Sequence, residues 1–186
     1  IVETKSTAAY KTSLSLQLNV LKASRVEKAV LVLGYVGEKF AKEALKLDGD
    51  SIIKIGDHVG FMLKECVKKK IKEVLLVGHI GKLVKIAKGQ FNTHSKYGDN
   101  RIETIVHYAK TYGAKRKVIE ELLKQTTAEA TIDILRKNRL IGVFRKIAQK
   151  IVITINEFLD NQLCINCVLL SLRGEILAAY PKKKRI

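Results

Sequence analysis

Hydrophobic and polar positions divide the first half of the chain into three similar units. Each unit begins with a short, mainly apolar run, passes through a glycine-containing loop and ends in a segment with apolar residues at helical spacing. The three apolar runs are residues 29–33, 52–55 and 74–77. An apolar run followed by an amphipathic segment is typical of a strand and its crossover helix. The pattern therefore predicts an α/β fold with an open, parallel, Rossmann-like sheet that helices cover on both faces.

The remainder of the chain shows other patterns. Residues 1–25 carry apolar residues at every second position, which predicts a strand; these positions are Leu14, Leu16, Leu18 and Val20. From about residue 100 the spacing becomes helical, although the β-branched run IVITI, residues 151–155, is also compatible with a strand. Two apolar runs around Arg173 and Gly174 predict a C-terminal β-hairpin.

These elements predict three parts of the chain. Residues 1–25 form the end of a preceding N-terminal domain, and residues 26–160 form an α/β ligand-binding domain that includes the helical segment. Residues 161–186 form the hairpin and a basic tail, PKKKRI. The chain begins with Ile1 rather than Met, so we expect a fragment or a processed form of a longer protein.

The net charge limits the classes of partner. The formal charge is +17, with 35 Lys and Arg residues against 18 Asp and Glu residues, and such an excess attracts anions. Nucleic acid, an acidic membrane surface and a polyanionic small molecule all satisfy this requirement. Aromatic residues make up only 6% of the chain and Trp is absent, which argues against a surface that stacks nucleic-acid bases. The two basic runs, Lys68–Lys70 and Lys182–Arg185, are typical of a solvated surface.

The hydropathy pattern argues against a membrane location. No stretch of about 18 uncharged apolar residues occurs, and the opening segment IVETKSTAAY lacks the basic-then-apolar pattern of a signal peptide. We therefore expect a cytoplasmic protein without a membrane partner.

Candidate chemistry is concentrated in the loops that follow the three predicted strands. The loop sequences are GYVGEK, GDHVG and GHIGK, and in an open parallel sheet such loops lie where ligands bind. Glycine lets the backbone approach a ligand closely, and the N-terminus of the next helix favours a phosphate, a carboxylate or a nucleotide-like group. Taken singly, each loop is more often only a tight turn. None has the spacing of a P-loop or of the full dinucleotide-binding fingerprint, which argues against ATP hydrolysis.

Polar side chains make the second and third loops candidates for a binding pocket. Asp57 lies in the second loop, and His79 and Lys82 lie in the third. Farther along, the FNTHS segment, Phe91–Ser95, brings amide, hydroxyl and imidazole groups together, which suits a polar ligand wall better than a helix interior. The alternatives are a turn capped by His79 and a helix capped by a residue of the FNTHS segment. We favour a pocket that combines His79 with this segment.

Several of these segments resemble one protein family. Residues 1–6 (IVETKS), 30–43 (VLVLGYVGEKFAKE) and 59–103 (VGFMLKECVKKKIKEVLLVGHIGKLVKIAKGQFNTHSKYGDNRIE) are similar to the cobalt-precorrin-5B (C-1)-methyltransferase family of anaerobic cobalamin (vitamin B12) biosynthesis. The resemblance extends over about residues 1–113, and its most specific stretch is LLVGHIGKLVKIAKGQFNTHS. The family also carries an N-terminal region with its own Gly/Thr/Ala-rich motif, which this sequence lacks.

The resemblance implies a reaction and its cofactor. A methyl group passes from S-adenosylmethionine to carbon 1 of cobalt-precorrin-5B, an anionic cobalt-tetrapyrrole, to give cobalt-precorrin-6A. The cobalt arrives with this substrate, so no protein-bound metal is predicted. The acetate and propionate groups of the ring complement a protein with a charge of +17. Because the cofactor brings the reactive methyl group, the protein mainly positions the reactants and excludes water.

Loop placement assigns the candidate residues to roles. The residues predicted to bind the cofactor are Gly34, Tyr35, Gly37, Gly78, His79 and Gly81. The residues predicted to bind the tetrapyrrole are Lys82, Asn92, Thr93, His94 and Ser95. The groups predicted to transfer a proton or to orient the carboxylates of the ring, without a choice among them, are His79, His94 and Asp57. Replacing His79 or His94 with alanine is predicted to reduce methyl transfer without lowering thermal stability.

Two other functions remain compatible with the sequence. A basic nucleic-acid-binding module accounts for the charge but not for the loops, and its affinity for DNA or RNA would fall steeply with salt. A noncatalytic fragment of the methyltransferase accounts for the start at Ile1. We favour the methyltransferase, with no nucleic-acid partner, and leave open whether it forms a homo-oligomer.

Overall fold

Five strands form one sheet, which confirms the predicted fold class. The computed structural model describes residues 7–47 and 51–181. The strands are β1 (Lys28–Leu33), β2 (Ile52–Lys54), β3 (Glu73–His79), β4 (Cys164–Leu170) and β5 (Ile176–Tyr180), in the spatial order β2-β1-β3-β4-β5. The first four are parallel, and β5 is antiparallel to β4. The three apolar runs of the sequence therefore correspond to β1, β2 and β3.

Helices follow the strands as the apolar spacing predicts. They are α1 (Thr7–Ala23), α2 (Gly34–Glu43), α3 (Val59–Lys68), α4 (Ile80–Leu83), α5 (Arg101–Thr111), α6 (Arg116–Leu123), α7 (Ala130–Lys137) and α8 (Gly142–Phe158). A 3₁₀ helix, Val84–Lys88, continues α4, and another covers Ser95–Tyr97. The ambiguous run IVITI lies inside α8. Within the described residues, no helix combines the length and the apolar character that spanning a bilayer requires.

The prediction of a strand within residues 1–25 is wrong. This region contains helix α1, whose buried side chains, at helical spacing, are Leu14, Leu18 and Leu21. Leu16 and Val20, which completed the alternating pattern, are exposed. The spacing of the leucines in this segment fits both the two-residue period of a strand and the 3.6-residue period of a helix. Their packing against α3 in the main core favours the helix.

The two faces of the sheet are covered unequally. One large cluster of buried apolar side chains joins the sheet to α1, α3, α5 and α8. On the opposite face, a smaller cluster joins Val30, Leu75 and Val168 of three neighbouring strands to Phe40 and Ala41 of α2. Because alternate side chains of a strand point to opposite faces, this coverage explains why β1 and β3 are almost continuously buried.

The predicted C-terminal hairpin is present and completes the sheet. Residues 171–175 connect β4 to the antiparallel β5. Along its other edge β4 pairs with β3, so that His79 lies opposite Leu170. The first strand of the hairpin is therefore also the fourth parallel strand. Of the predicted basic tail, PKKKRI, all but Pro181 lies outside the described residues, as do residues 1–6 and 48–50.

Candidate functional site

The carboxyl ends of β1 and β3 form the edge of the sheet where a ligand is expected. After β1 the chain crosses to β2 on one side, whereas β3 lies on the other side of β1. Because α2 and α3 pack on opposite faces, the loops diverge between β1 and β3, as they do at ligand sites of open α/β sheets. Gly34 follows β1 directly and His79 ends β3, so the first and third loops flank this point.

A cavity of about 300 Å³ lies beside this edge. It is lined by Asp57, Gly81, Lys82, Lys85, Thr93, His94, Ser95 and Arg101. Four of the five residues predicted to bind the tetrapyrrole belong to this lining. The fifth, Asn92, contacts it through its side-chain Oδ1, which accepts a hydrogen bond from the backbone N–H of His94 at 3.2 Å. The second loop, the third loop and the FNTHS segment thus meet at one cavity.

Asp57 connects the second loop to the FNTHS segment. Its Oδ1 accepts hydrogen bonds from the hydroxyl of Thr93 at 2.6 Å and from Nζ of Lys82 at 3.0 Å. Its backbone carbonyl accepts a bond from the N–H of Thr93 at 3.1 Å. Burial by itself raises the pKa of Asp57, but the hydrogen bonds from Thr93 and Lys82 outweigh burial and lower the pKa. Asp57 is therefore a carboxylate at neutral pH that holds the loop in place.

Sequence reasoning missed two cations of the cavity, Lys85 and Arg101. Only 4% of Lys85 is exposed, and its Nζ donates to the backbone carbonyls of Thr93 at 3.1 Å and Gly98 at 3.2 Å. Arg101 is paired with Asp99, to which its Nε donates at 2.7 Å. A lysine between two pairs of apolar residues, as in LVKIA, is a local signal of burial. Nothing local marks Arg101 as part of a cavity.

Acid is expected to weaken the pair formed by Asp99 and Arg101. The hydrogen bond from Arg101 lowers the pKa of Asp99 from 3.8 to about 2. A carboxyl group whose pKa is lower in the folded chain than in the unfolded chain stabilises the fold at pH values above the unfolded pKa. This contribution is lost as the pH falls through the folded pKa. We therefore expect Asp99→Asn to be less stable than the wild type at neutral pH, with a difference that shrinks as the pH falls from about 4 to about 2.

Urea unfolding across this pH range measures the difference, with Asp133→Asn as the control. Asp133 is also an ion-paired aspartate, but it is 89% exposed on α7, where it pairs with Arg136. If the stability difference between Asp133→Asn and the wild type shrinks over this pH range as much as that of Asp99→Asn, the effect reflects the overall charge of the chain. The expectation for the Asp99 pair is then wrong.

His79 is held by hydrogen bonds to both nitrogens of its ring. Nδ1 accepts from the backbone N–H of Gly81 at 3.2 Å and so caps α4. That bond leaves the ring proton on Nε2, which lies 2.9 Å from Oε2 of Glu129. The Glu129 carboxylate also accepts the backbone N–H of Leu172, between β4 and β5, at 3.1 Å. His79 thus links β3 to the start of α7 and to the hairpin. Nothing in the sequence around Glu129 predicted this contact.

The four glycines predicted to bind the cofactor differ in the space around them. Added Cβ atoms on Gly37, Gly78 and Gly81 would lie 2.8, 3.0 and 2.9 Å from neighbouring atoms of the chain. At Gly34, by contrast, φ is 74° and no described atom lies within 4 Å of an added Cβ. Tyr35, next to it, is 69% exposed. Packing therefore accounts for three of the glycines, and a ligand has room to approach the backbone at Gly34 and Tyr35.

His94 and Ser95 are the exposed residues of the cavity lining on the FNTHS side. Nδ1 of His94 accepts a hydrogen bond from the backbone N–H of Lys96 at 3.1 Å, which places the ring proton on Nε2. In the part of the chain that the structure describes, no protein group is hydrogen-bonded to this Nε2. It is therefore available to a ligand.

A larger cavity, of about 390 Å³, lies elsewhere on the sheet. Mainly apolar residues line it, among them Val30, Leu75 and Val168, towards the amino ends of the parallel strands. None of the predicted site residues belongs to its lining. Across residues 7–47 and 51–181, no group of three or more His, Cys, Asp or Glu side chains is arranged to hold a metal ion.

Three curated relatives of this chain share one name. Residues 92–181 match the family model described as "CbiD, C-terminal domain". A cobalt-precorrin-5B C(1)-methyltransferase from Photorhabdus laumondii is 37% identical over 159 residues, which are 86% of this chain and 42% of that protein. The protein of that name from Methanocaldococcus jannaschii is 33% identical over 186 residues, 100% of this chain and 51% of that protein. The one from Thermoanaerobacter sp. is 38% identical over 186 residues, 98% of this chain and 50% of that protein.

The similarity covers nearly all of this chain but only part of its relatives. The chain spans about half the length of the curated relatives that it matches. No solved structure shows significant similarity to it. The match to the family model continues beyond residue 113, where the resemblance recognised in the sequence ends. On these grounds residues 92–181 match the C-terminal domain of the CbiD family, and the chain as a whole is similar to part of the cobalt-precorrin-5B C(1)-methyltransferases.

Proposed function

We propose that this chain forms part of an S-adenosylmethionine-dependent methyltransferase that converts cobalt-precorrin-5B into cobalt-precorrin-6A. The shared name of its relatives supports this reaction. The observation that carries the proposal is the cavity at the carboxyl edge of the sheet, where three separate polar segments meet. Open α/β sheets bind nucleoside cofactors at this edge.

The proposal places the two reactants on different sides of the third loop. The open backbone at Gly34 and Tyr35 would hold the cofactor, on the side of the third loop that carries His79 and Gly81. The tetrapyrrole lies against the other group of residues: Lys82, Asn92, Thr93, His94 and Ser95. S-adenosylmethionine supplies an electrophilic methyl group, which carbon 1 of the ring takes up with its own electron pair while the sulfonium becomes a neutral thioether. The chain's own residues hold the ring in line with the cofactor and keep water out.

His94 fits a proton-handling role better than Asp57 or His79. Asp57 is held as a carboxylate by Thr93 and Lys82, and both ring nitrogens of His79 are engaged. His94, by contrast, keeps Nε2 for a ligand. We assign His94 to the substrate, where it orients a ring carboxylate or exchanges a proton with it, and we assign Asp57 and His79 to positioning the loops.

The shape of the site favours an acidic tetrapyrrole over nucleic acid. A cavity of about 300 Å³ admits the acetate and propionate side chains of a ring. Nucleic acid instead requires a row of cations spaced along a phosphate backbone. The cations of the cavity converge on one place, so we propose no nucleic-acid partner.

Two measurements test the proposed function. Calorimetric titration of the 186-residue chain with S-adenosylhomocysteine is expected to show saturable one-to-one binding. In a methyl-transfer assay, His94→Ala is expected to reduce turnover about tenfold or more, with a loss of stability of no more than about 1 kcal/mol, because the ring is exposed and caps the N–H of Lys96.

His107→Ala is the control for the assay, because His107 is exposed on α5 and does not line the cavity. A folded chain that does not bind S-adenosylhomocysteine contradicts the proposed cofactor site. Turnover that His94→Ala leaves at the level of His107→Ala removes His94 from the substrate site.

A further inference from the structure

Lys85 carries the least compensated charge in the cavity. Asp57 pairs with Lys82 and Asp99 pairs with Arg101, whereas Lys85 makes no ion pair among the described residues and acts on Asp99 only at longer range, where its charge helps to lower the pKa of that carboxyl. The two carbonyls that hold its Nζ satisfy two of its three N–H donors but bear no formal charge. The cavity therefore contains a buried lysine with one N–H donor left for a ligand and no carboxylate in direct contact with its charge.

Burial makes this charge a strong determinant of what the cavity binds. An ammonium that is shielded from water attracts an anion more strongly than an exposed one, because the surroundings screen the charge less. Only 4% of Lys85 is exposed, and the residue lines the cavity. Lys82, Lys85 and Arg101 together outnumber the two carboxylates beside them, so the site as a whole favours a negative ligand.

We propose that this cavity binds a carboxylate group of a ligand and that Lys85 supplies the fixed, charged donor. The hydroxyl of Ser95 and Nε2–H of His94 belong to the same lining and offer further donors beside it. The inference rests on the proposed function only for the identity of the molecule that carries the carboxylate. That molecule is either the tetrapyrrole, through an acetate or propionate group, or the cofactor, through its amino-acid carboxylate.

Lys85 could bind a ligand carboxylate or could only hold the backbone in place. One substitution distinguishes these two roles. Lys85→Gln keeps two amide N–H donors for the carbonyls of Thr93 and Gly98 but removes the positive charge. Lys88→Gln is the matched control, because Lys88 lies in the same 3₁₀ helix, is exposed and pairs with Glu103. Both variants lower the net charge of the chain equally.

The experiment titrates the 186-residue chain and the two variants with two carboxylate ligands. One is uroporphyrin, a porphyrin with acetate and propionate side chains, followed by fluorescence; the other is S-adenosylhomocysteine, followed by calorimetry. An ionic strength of about 0.15 M limits attraction by distant surface charges, because the Debye length is then about 8 Å. We expect Lys85→Gln to weaken binding of one ligand about tenfold or more, and Lys88→Gln to weaken it less than about twofold.

Each result has a defined meaning. Weaker binding of uroporphyrin alone in Lys85→Gln assigns the cavity to the tetrapyrrole, and weaker binding of S-adenosylhomocysteine alone assigns it to the cofactor; both outcomes support a carboxylate site. Equal affinities of Lys85→Gln and Lys88→Gln for both ligands, or no binding of either by the wild type, overturn it. Uroporphyrin binding that depends on Lys85, without any binding of S-adenosylhomocysteine, supports this inference and contradicts the proposed cofactor site.

A second measurement, on the wild type, tests the proposal if the Lys85→Gln variant does not fold. The Nζ–H signals of the lysines in the wild type are followed by nuclear magnetic resonance while either ligand is added, and the Lys85 signal is assigned by its slow exchange with water. A ligand carboxylate that accepts from Nζ shifts this signal. A Lys85 signal unchanged at saturation with both ligands overturns the proposal.

Discussion

A chain in which Gly37 is replaced with valine is expected to be less stable than the wild type by about 3 kcal/mol. Gly37 lies near the start of α2, where this helix packs against β3. A Cβ at Gly37 would lie 2.8 Å from the carbonyl oxygen of Val77 and 3.4 Å from Cα of Gly78. These are backbone atoms of a central strand, which cannot rotate away as a side chain does. The larger residue therefore forces α2 away from the sheet.

Urea unfolding measures this loss, with Lys39→Val as the matched control. Lys39 is exposed two residues later in α2, so valine there brings its weaker helix propensity, a loss of about 0.5 kcal/mol, but no contact with β3. If the two variants are equally stable, α2 does not depend on a close approach to the sheet at Gly37, and the expectation is wrong.

The two glycines of the loop GYVGEK illustrate what a glycine pattern can predict. Gly37 permits close packing of a helix on a strand, whereas Gly34 has a left-handed backbone beside open space. Both requirements arise where a strand turns directly into a helix, with or without a ligand. The pattern therefore located the edge of the sheet correctly, but it did not distinguish residues that contact a ligand from residues that let the helix pack.

The parallel sheet was predictable because its signals are local. β1 and β3 are buried on both faces, so each appears in the sequence as an apolar run followed by a helical spacing. Helix α1 was mispredicted because the leucines of LSLQLNVL fit two periods, and only contacts with α3 distinguish them. The sequence pattern thus predicted strands that are covered on both sides and failed for an amphipathic segment on the surface.

The candidate site was predictable in its loops but not in its connections. The polar residues of the second and third loops and of the FNTHS segment were visible as motifs. Their contacts join distant positions, since 36 residues separate Asp57 from Thr93 and 50 separate His79 from Glu129. The backbone carbonyls that hold Lys85 have no signature in the sequence at all. Side-chain types are local information, whereas pairing and burial follow from the fold.

Replacing His79 with alanine is expected to lower the free energy of unfolding by about 3 kcal/mol. The change removes the cap on the N–H of Gly81, which contributes about 1 kcal/mol. It also removes the hydrogen bond to the partly buried carboxylate of Glu129, and hydrogen bonds to charged groups contribute about 2 kcal/mol. Position after β3 alone predicted a loss of methyl transfer without a loss of stability. The two hydrogen bonds of the ring lead to the opposite expectation for stability.

A double-mutant cycle separates the two contributions of the ring. His79→Asn retains an oxygen that can cap the N–H of Gly81 but is too short to reach Glu129, so it is expected to lose only about 2 kcal/mol. Combining His79→Ala with Glu129→Ala, which removes the accepting oxygen, is expected to reveal a coupling of similar size in urea unfolding. Strictly additive losses would mean that the ring and the carboxylate do not interact. In that case Nε2 of His79 is available to a ligand at the carboxyl end of β3. We would then assign His79 to direct contact with the reactants rather than to positioning the loops.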